Sequence, residues 1–208
     1  MAVASQQDAG RPRRSAAATR EHILAVAAER FYWDGVHATG VDAIAAGAEV
    51  APTTLYRLFA SKDDLVAAYV ERCSAAYKDR LTAASSSGTP RERILAVFDA
   101  FTAEVLSDSC RGCPFLMVLA EFPDASHPAH REAVAHKSWV RDLFYGLVSE
   151  FAVETPIGDP AGLADELALI AEGIYGSVQS LGASGPARLG RTCAEVLLDV
   201  ASTALDGA

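Results

Sequence analysis

Residues 19–70 of the chain read TREHILAVAAERFYWDGVHATGVDAIAAGAEVAPTTLYRLFASKDDLVAAYV. The first part places apolar side chains at the i, i+3 and i+4 spacing of one buried helix face, namely Ile23, Leu24, Ala27, Ala28 and Phe31. Gly35 then ends the helix. Two shorter helices are predicted in VDAIAAGAEV (41–50) and PTTLYRLF (52–59), where Pro52 suits a first helical turn. Two short helices joined by about four residues form a helix-turn-helix.

A longer fourth helix is predicted directly after this unit. Ser61 followed by Asp64 forms an S-x-x-D box, in which a hydroxyl can accept a hydrogen bond from a backbone amide of the first turn. Apolar residues then continue at helical spacing to about Leu81. The stretch SSSGT (85–89) reads as a linker, so a second helical region is expected to start at Thr89-Pro90.

Composition predicts that the rest of the chain is helical as well. Half of the 208 residues are apolar and alanine is abundant, while Gly and Pro stand mostly at segment ends. Proline positions mark the starts of five further helices, expected at about 90–107, 114–122, 128–151, 160–181 and 186–205. We therefore predict an all-α fold with a small N-terminal helix-turn-helix domain and a larger C-terminal helical domain.

The charge distribution divides the chain unevenly. The formal net charge is -9, but residues 1–72 hold eight basic and nine acidic side chains, so their own balance is only -1. Residues 1–15 are polar and carry Arg11, Arg13 and Arg14, which predicts a disordered basic arm. The predicted units are this arm, a helix-turn-helix domain at 16–62, a connecting helix at 63–84 and a C-terminal domain at 85–208.

Targeting signals are not expected in this chain. The first 18 residues lack the apolar core of a signal peptide, and no apolar run is long enough to cross a bilayer. We therefore expect a cytoplasmic protein whose cysteines are reduced thiols without a disulfide framework. These cysteines are Cys73, Cys110, Cys113 and Cys193.

The ordered residues of 19–70 resemble the DNA-binding domain of the TetR family of bacterial regulators. The resemblance rests on Ile23, Leu24 and Phe31, on Gly35, on Ile44-Ala45, on Val50, on Thr54-Leu55-Tyr56 and Phe59, and on Ser61-Lys62 and Leu65. It implies a transcriptional regulator, by family habit a repressor, that binds double-stranded operator DNA as a homodimer and responds to a small-molecule effector. The last two helices would then form a four-helix bundle with a second copy, although a face buried within one chain is the alternative.

The helix-turn-helix prediction and the resemblance together indicate which residues contact DNA. At the start of the third helix, Pro52, Thr53 and Thr54 are expected to face base edges, because a threonine offers both a hydroxyl and a methyl group. The resemblance implies that Tyr56 and Lys62 bind phosphates. The predicted DNA-binding residues are Arg20, Gly40, Pro52, Thr53, Thr54, Tyr56, Arg57 and Lys62.

Three positions depart from the family pattern. Gly40 stands where a Ser or Thr usually begins the second helix, and Thr53 replaces a common glycine. Glu49 occupies the turn, where the family usually has glycine, and it suits a left-handed backbone less well.

Two interpretations compete for the segment SCRGCPFLMVLAEFPDASHPAHREAVAHKSWVRDLF (109–144). A metal- or thiol-responsive site would use Cys110, Cys113 and nearby ligands such as Glu121, His127, His130 and His136. The interpretation that we prefer makes the segment one wall of an apolar effector pocket with a few polar anchors. The predicted pocket residues are Phe98, Phe101, Phe115, Met117, Glu121, His136, Trp139, Tyr175 and Gln179.

Catalysis is not expected from these residues. No strained nucleophile turn, oxyanion nest or phosphate loop is present at the spacing of Cys110 to His136. We therefore predict a protein that is not an enzyme and that has no catalytic residues, no cofactor and no resident metal.

Overall fold

A computed structural model describes residues 14–107 and 109–203, and all regular structure within these ranges is helical. This confirms the predicted all-α class. The helices are α1 (Ala16–Asp34), α2 (Val41–Gly47), α3 (Pro52–Leu58), α4 (Lys62–Ala84), α5 (Pro90–Val105), α6 (Pro114–Glu121), α7 (Pro128–Glu154), α8 (Pro160–Leu181) and α9 (Gly190–Thr203). None of the described helices is long and apolar enough to cross a membrane.

Helix starts follow local capping chemistry. The Ser61 hydroxyl accepts a hydrogen bond from the Asp64 amide at 3.0 Å, and Thr89 and Glu92 form a reciprocal capping box at the start of α5. Proline occupies the first turn of each of α5, α6, α7 and α8. The sequence-based starts of these helices are therefore confirmed.

Both ends of the chain differ from the prediction. Helix α1 begins at Ala16 and not at Thr19, because the Ser15 side chain caps it by accepting from the Ala18 amide. Of the predicted basic arm, only Arg14 and Ser15 lie within the described residues. The last predicted helix is divided into a 3₁₀ turn at Pro186–Leu189 and α9, which begins at Gly190. The predicted end at 205 lies outside the described residues.

The first three helices share one small core. Ile23, Leu24 and Phe31 from α1 are buried against Ile44 of α2 and Leu55 of α3. The Phe31 ring meets the ring of Tyr69 in α4 edge to face, with centroids 5.6 Å apart. The helix-turn-helix is thereby fixed to the first half of α4.

The remaining helices pack around α7. Its buried face contacts α4, α5, α6 and α8, and the Phe144 ring stacks on Phe98 of α5 at 5.3 Å. Helix α9 packs on α5 and α8 at the other side of this core. At the start of α9, Gly190 lies against the Ile174 side chain.

Adding a methyl group at Gly190 tests this packing. A Cβ at this position would lie 2.3 Å from Ile174 Cδ1, so Gly190→Ala should overpack the junction of α8 and α9 and lower the free energy of unfolding by about 1–3 kcal/mol. Urea denaturation followed by circular dichroism measures the change. The matched control is Gly146→Ala in α7, where no atom lies within 4 Å of the new Cβ and stability should rise by up to about 1 kcal/mol. Equal effects of the two substitutions would contradict the close approach at Gly190.

Candidate DNA-binding surface and buried cavity

The turn between α2 and α3 is held by backbone hydrogen bonds. The amides of Ala48 and Val50 donate to the carbonyls of Ile44 and Ala45 at 2.9 and 3.0 Å. Glu49 adopts a φ of 54°, the only positive φ of a non-glycine residue within the described part of the chain. A left-handed backbone at such a residue costs about 1 kcal/mol. The turn therefore keeps the geometry of a glycine-containing turn without the glycine.

Helix α3 buries one side and presents the other. Leu55 is fully buried and Phe59, directly after the helix, is nearly so. Pro52, Thr53 and Arg57 are exposed, and Thr54 is partly exposed. The Tyr56 side chain is 52% exposed, and its hydroxyl has no hydrogen-bond partner among the residues that the structure describes. The exposed side of α3 therefore presents threonine hydroxyl and methyl groups at the start of the helix, followed by the Tyr56 hydroxyl and the Arg57 guanidinium.

The other predicted DNA-binding residues flank this helix. Lys62 is the first residue of α4 and is partly exposed, while Gly40 caps α2 with an extended backbone and has open space where a Cβ would stand. The Arg20 guanidinium from α1 lies 4.7 Å from the centroid of the Phe59 ring. This contact places a cation beside the end of α3.

A buried cavity lies between five helices of the C-terminal part. Its volume is about 10 Å³, which is close to the space that one water molecule needs. The walls come from α4, α5, the start of α6, α7 and α8, and they consist of Tyr77, Phe101, Cys113, Phe115, His136, Lys137, Val140, Ala171, Glu172 and Tyr175. Aromatic rings therefore supply half of the lining residues, and the partly exposed Lys137 and Glu172 belong to the same wall.

The ionisable groups that line this cavity are either paired with an opposite charge or neutral. The Lys137 ammonium donates to both Glu172 carboxylate oxygens at 2.7 and 2.8 Å. Burial raises the pKa of the Cys113 thiol, although the nearby Lys137 ammonium opposes this shift. Burial, with the like charges of Lys137, Lys78 and Arg80, lowers the pKa of His136 from 6.5 to about 3. The thiol and the imidazole are accordingly neutral near pH 7.

Hydrogen bonds orient the two polar ends of the cavity. The His136 ring stacks on Phe115 with centroids 3.7 Å apart, and its Nδ1 lies 3.1 Å from the Ser74 hydroxyl. On the other side, the Glu104 carboxylate accepts from the hydroxyls of Tyr77 and Tyr175 and pairs with Arg80. Burial raises the pKa of both tyrosines, so they act as donors to this carboxylate.

The predicted pocket residues separate into two groups. Phe101, Phe115, His136 and Tyr175 line the cavity. The following do not line it: Phe98, Met117, Glu121, Trp139 and Gln179. Phe98 packs on Phe144 in the core, Gln179 is exposed beside Gly112, and Glu121 binds backbone amides of the α1–α2 loop (residues 35–40).

Sequence reasoning missed three polar residues that line the cavity: Tyr77, Lys137 and Glu172. Tyr77 lies one turn after Ser74 on the buried side of α4, and Lys137 directly follows His136, so helical spacing offered a signal for both. Glu172 carried no such signal, because its role depends on Lys137 of another helix.

The cysteine and histidine residues of 109–144 are not gathered around one point. His130 Nδ1 binds the Phe122 carbonyl at 2.7 Å, His127 stacks on Phe122, and His136 lines the cavity. Within residues 14–107 and 109–203, no group of three or more His, Cys, Asp or Glu side chains is placed to hold a metal ion.

Comparison with known proteins identifies the N-terminal part. A family model described as bacterial regulatory proteins, tetR family, matches residues 23–69, from within α1 to within α4. A solved TetR-family transcriptional regulator from Streptomyces coelicolor has a TM-score of 0.83 and 30% identity over 88% of this chain and 96% of that chain. This likeness includes the C-terminal helices as well as the helix-turn-helix.

Two proteins of Escherichia coli are also similar. The HTH-type transcriptional repressor NemR is 34% identical over 115 residues, which are 52% of this chain and 56% of NemR. Its crystal structure in the reduced form has a TM-score of 0.77 over 86% of this chain and 95% of that chain. The HTH-type transcriptional regulator YjdC is 24% identical over 157 residues, or 74% of this chain and 80% of YjdC.

The neutral state of buried His136 predicts a pH dependence of stability. The unfolded chain takes up a proton on this residue as the pH falls below about 6.5, while the folded chain stays unprotonated until about pH 3. Stability is therefore full above pH 6.5 and is lost as the pH falls towards 3. Between pH 6.5 and pH 5 the parent should lose about 2 kcal/mol more unfolding free energy than His136→Gln. Urea denaturation at several pH values measures this difference, and parallel curves would contradict a neutral His136.

Proposed function

The chain belongs to the TetR family of bacterial regulatory proteins, and from this we propose that it is a repressor released from operator DNA by a small effector. It is a DNA-binding transcriptional regulator. The observation that carries the proposal is the exposed side of α3, where Thr53, Tyr56 and Arg57 face outward while Leu55 is fully buried. A helix held in this way can enter the major groove without unfolding its own core.

We assign separate roles to the residues of this surface. Pro52, Thr53 and Thr54 at the start of α3 read base edges, and Tyr56 and Arg57 contact the phosphate backbone. Lys62, Arg20 and the exposed backbone at Gly40 hold the neighbouring phosphates, which position the protein without selecting a sequence. The basic arm at 1–15 adds salt-dependent affinity.

The functional units that we propose follow the predicted boundaries. Residues 16–62 read DNA, helix 63–84 connects, and 85–208 bind the effector and a second copy. Apolar side chains on the outer faces of α8 and α9 support a dimer, since Leu169 is 72%, Val196 55% and Val200 59% exposed. A two-fold axis through these helices would place two α3 helices about 34–36 Å apart, which is one turn of DNA.

The cavity supports a small, uncharged, aromatic effector. Its ionic pair Lys137–Glu172 is balanced, and its imidazole and thiol are neutral, so a charged ligand would be buried without a partner. The rings of Phe101 and Phe115 offer stacking surfaces, and His136 offers a hydrogen-bonding nitrogen. A cavity of about 10 Å³ must open for any such molecule, so binding requires a change in the wall.

A thiol-responsive regulator is the second candidate. Cys113 lines the cavity together with Lys137, whose ammonium charge opposes the rise of the thiol pKa, and this is the one observation that favours the candidate. Burial keeps this thiol protonated, however, and a protonated thiol is a poor nucleophile. Cys110 is partly buried and lies outside the cavity wall. We therefore prefer the effector that binds without a covalent bond.

Three substitutions on the DNA-binding surface test the main proposal. Tyr56→Phe removes one hydroxyl and Lys62→Ala removes one charge, so each should weaken binding to operator and random DNA alike by about 1–3 kcal/mol. Thr54→Ala should narrow the gap between operator and random DNA, because it removes a base contact. Gel shifts at fixed salt, on a duplex selected by the parent from random sequences, measure all three.

The control for these substitutions is Tyr145→Phe, which removes the hydroxyl of an exposed tyrosine on α7. It should bind DNA as the parent does. If the three surface variants also bind the selected duplex as tightly as the parent, α3 does not lie in the groove and the proposal fails.

Paired cysteine variants separate the two effector hypotheses. We expect the parent, Cys113→Ser and Cys110→Ser to keep their operator complexes in the presence of hydrogen peroxide or zinc chloride. The buried thiol is neutral, and among the described residues Cys110 belongs to no group of three potential metal ligands. Gel shifts with each reagent give the answer. Release of the parent and of Cys110→Ser by peroxide, but not of Cys113→Ser, would establish the thiol-responsive candidate instead.

A further inference from the structure

Helix α6 touches the helix-turn-helix domain at both of its ends. It is the shortest helix of the C-terminal part, with eight residues, and each end is hydrogen-bonded to the last turn of α1 or to the α1–α2 loop. The two sets of bonds lie on opposite ends of one rigid element. Together we call them the α6 clamp, formed by Tyr32 with residues 111–112 and by Glu121 with residues 36–37.

The first half of the clamp precedes α6. The Tyr32 hydroxyl donates to the Gly112 carbonyl at 3.0 Å and accepts from the Arg111 amide at 2.7 Å. The Arg111 guanidinium also donates to the Trp33 carbonyl at the end of α1. Burial raises the pKa of Tyr32, so the hydroxyl is protonated and makes both bonds at once.

The second half of the clamp is the last residue of α6. Glu121 accepts from the Val36 amide at 2.9 Å and from the His37 amide at 2.6 Å, one bond to each carboxylate oxygen. Burial alone would raise the pKa of this carboxyl, but these bonds outweigh burial and lower it. A charged acceptor of two backbone amides is among the strong hydrogen-bonding arrangements in proteins.

The same helix forms part of the cavity wall. Cys113 and Phe115 at the start of α6 line the cavity, together with residues of four longer helices. Since the cavity holds about one water molecule, an effector can enter only if a wall moves. Displacing an eight-residue helix breaks fewer packed contacts than displacing α7 or α8, which have 27 and 22 residues.

We propose that Tyr32 and Glu121 are positioning residues that couple the α6 wall of the cavity to the orientation of the helix-turn-helix. The inference rests on the proposed function and adds the route by which the cavity acts on the DNA-binding surface. When the wall moves outward, the bonds from the Val36 and His37 amides to Glu121 break and release the α1–α2 loop. The state of α3 that fits the groove is then lost.

Backbone hydrogen exchange in the full chain tests the clamp directly. Glu121→Ala removes the only described acceptor of the Val36 and His37 amides, so exchange in peptides covering 33–40 should become at least about tenfold faster. Glu121→Gln keeps one acceptor oxygen and should be intermediate. Tyr32→Phe should accelerate exchange of the Arg111 amide in peptides covering 106–113. The matched controls are Glu154→Ala and Tyr145→Phe, on the exposed side of α7.

A larger side chain in the cavity wall takes the place of the unidentified effector in this test, and a chain that carries one is called a wedge variant. Ala171→Leu adds volume at the α8 wall of the cavity, and Val140→Leu is a smaller change at the α7 wall for use if the first variant does not fold. Mass spectrometry should show about tenfold faster exchange over 33–40 in the wedge variant, with exchange over 23–31 in α1 unchanged. Operator affinity should fall about tenfold. Combining the wedge with Glu121→Ala should add little to either effect, because the link is already broken.

The outcomes of the two readouts are distinct. Unchanged exchange over 33–40 in a folded wedge variant, or fully additive effects of the wedge and Glu121→Ala, would overturn the coupling role whatever the DNA result. A parent chain that selects no duplex would contradict the proposed repressor function instead. The exchange measurement would in that case still decide whether the clamp reports on the cavity.

Discussion

One helix, α4, belongs to two hydrophobic cores, and the rest of the structure depends on this sharing. Its first half buries Leu65 and Tyr69 against α1, while its second half supplies Ser74 and Tyr77 to the partners of His136 and to the cavity. An α-helix of 23 residues is about 35 Å long and does not bend freely. The DNA-binding domain therefore cannot pack independently of the cavity.

The net charge is distributed unevenly between the N-terminal and C-terminal parts of the chain. The first 72 residues are nearly neutral and the remaining 136 carry almost all of the net charge of -9. An acidic body disfavours contact with DNA except where basic side chains face it. In the proposed complex these are Arg57, Lys62 and the arm, which would select one orientation on the duplex. Near the cavity in the C-terminal part, by contrast, charged side chains occur in pairs of opposite sign such as Lys137–Glu172.

Features that depend on a few neighbouring residues could be predicted from the sequence. Features that depend on contacts between different helices could not. Prolines and capping residues such as Thr89 identified helix starts, because their signals are contained within four residues. The sequence showed that Glu49 stands where the family usually has glycine, but not that Glu49 itself adopts the left-handed backbone. Glu121 was predicted as a polar anchor of the pocket, and in the structure its carboxylate accepts from the Val36 amide, a contact that depends on where α6 lies relative to the α1–α2 loop. No periodicity within one helix contains that information.

Two connections, and not one, determine how the helix-turn-helix sits on the body. Helix α4 contacts α1 through pairs such as Phe31–Tyr69. The hydrogen bonds of Tyr32 and Glu121 join the same domain to the residues at the two ends of α6, and a second point of attachment opposes rotation about the first. In a two-fold dimer a rotation of each copy changes the spacing of the two α3 helices twice over. In the proposed dimer, a shift of α6 would thereby take both α3 helices out of register with adjacent major grooves.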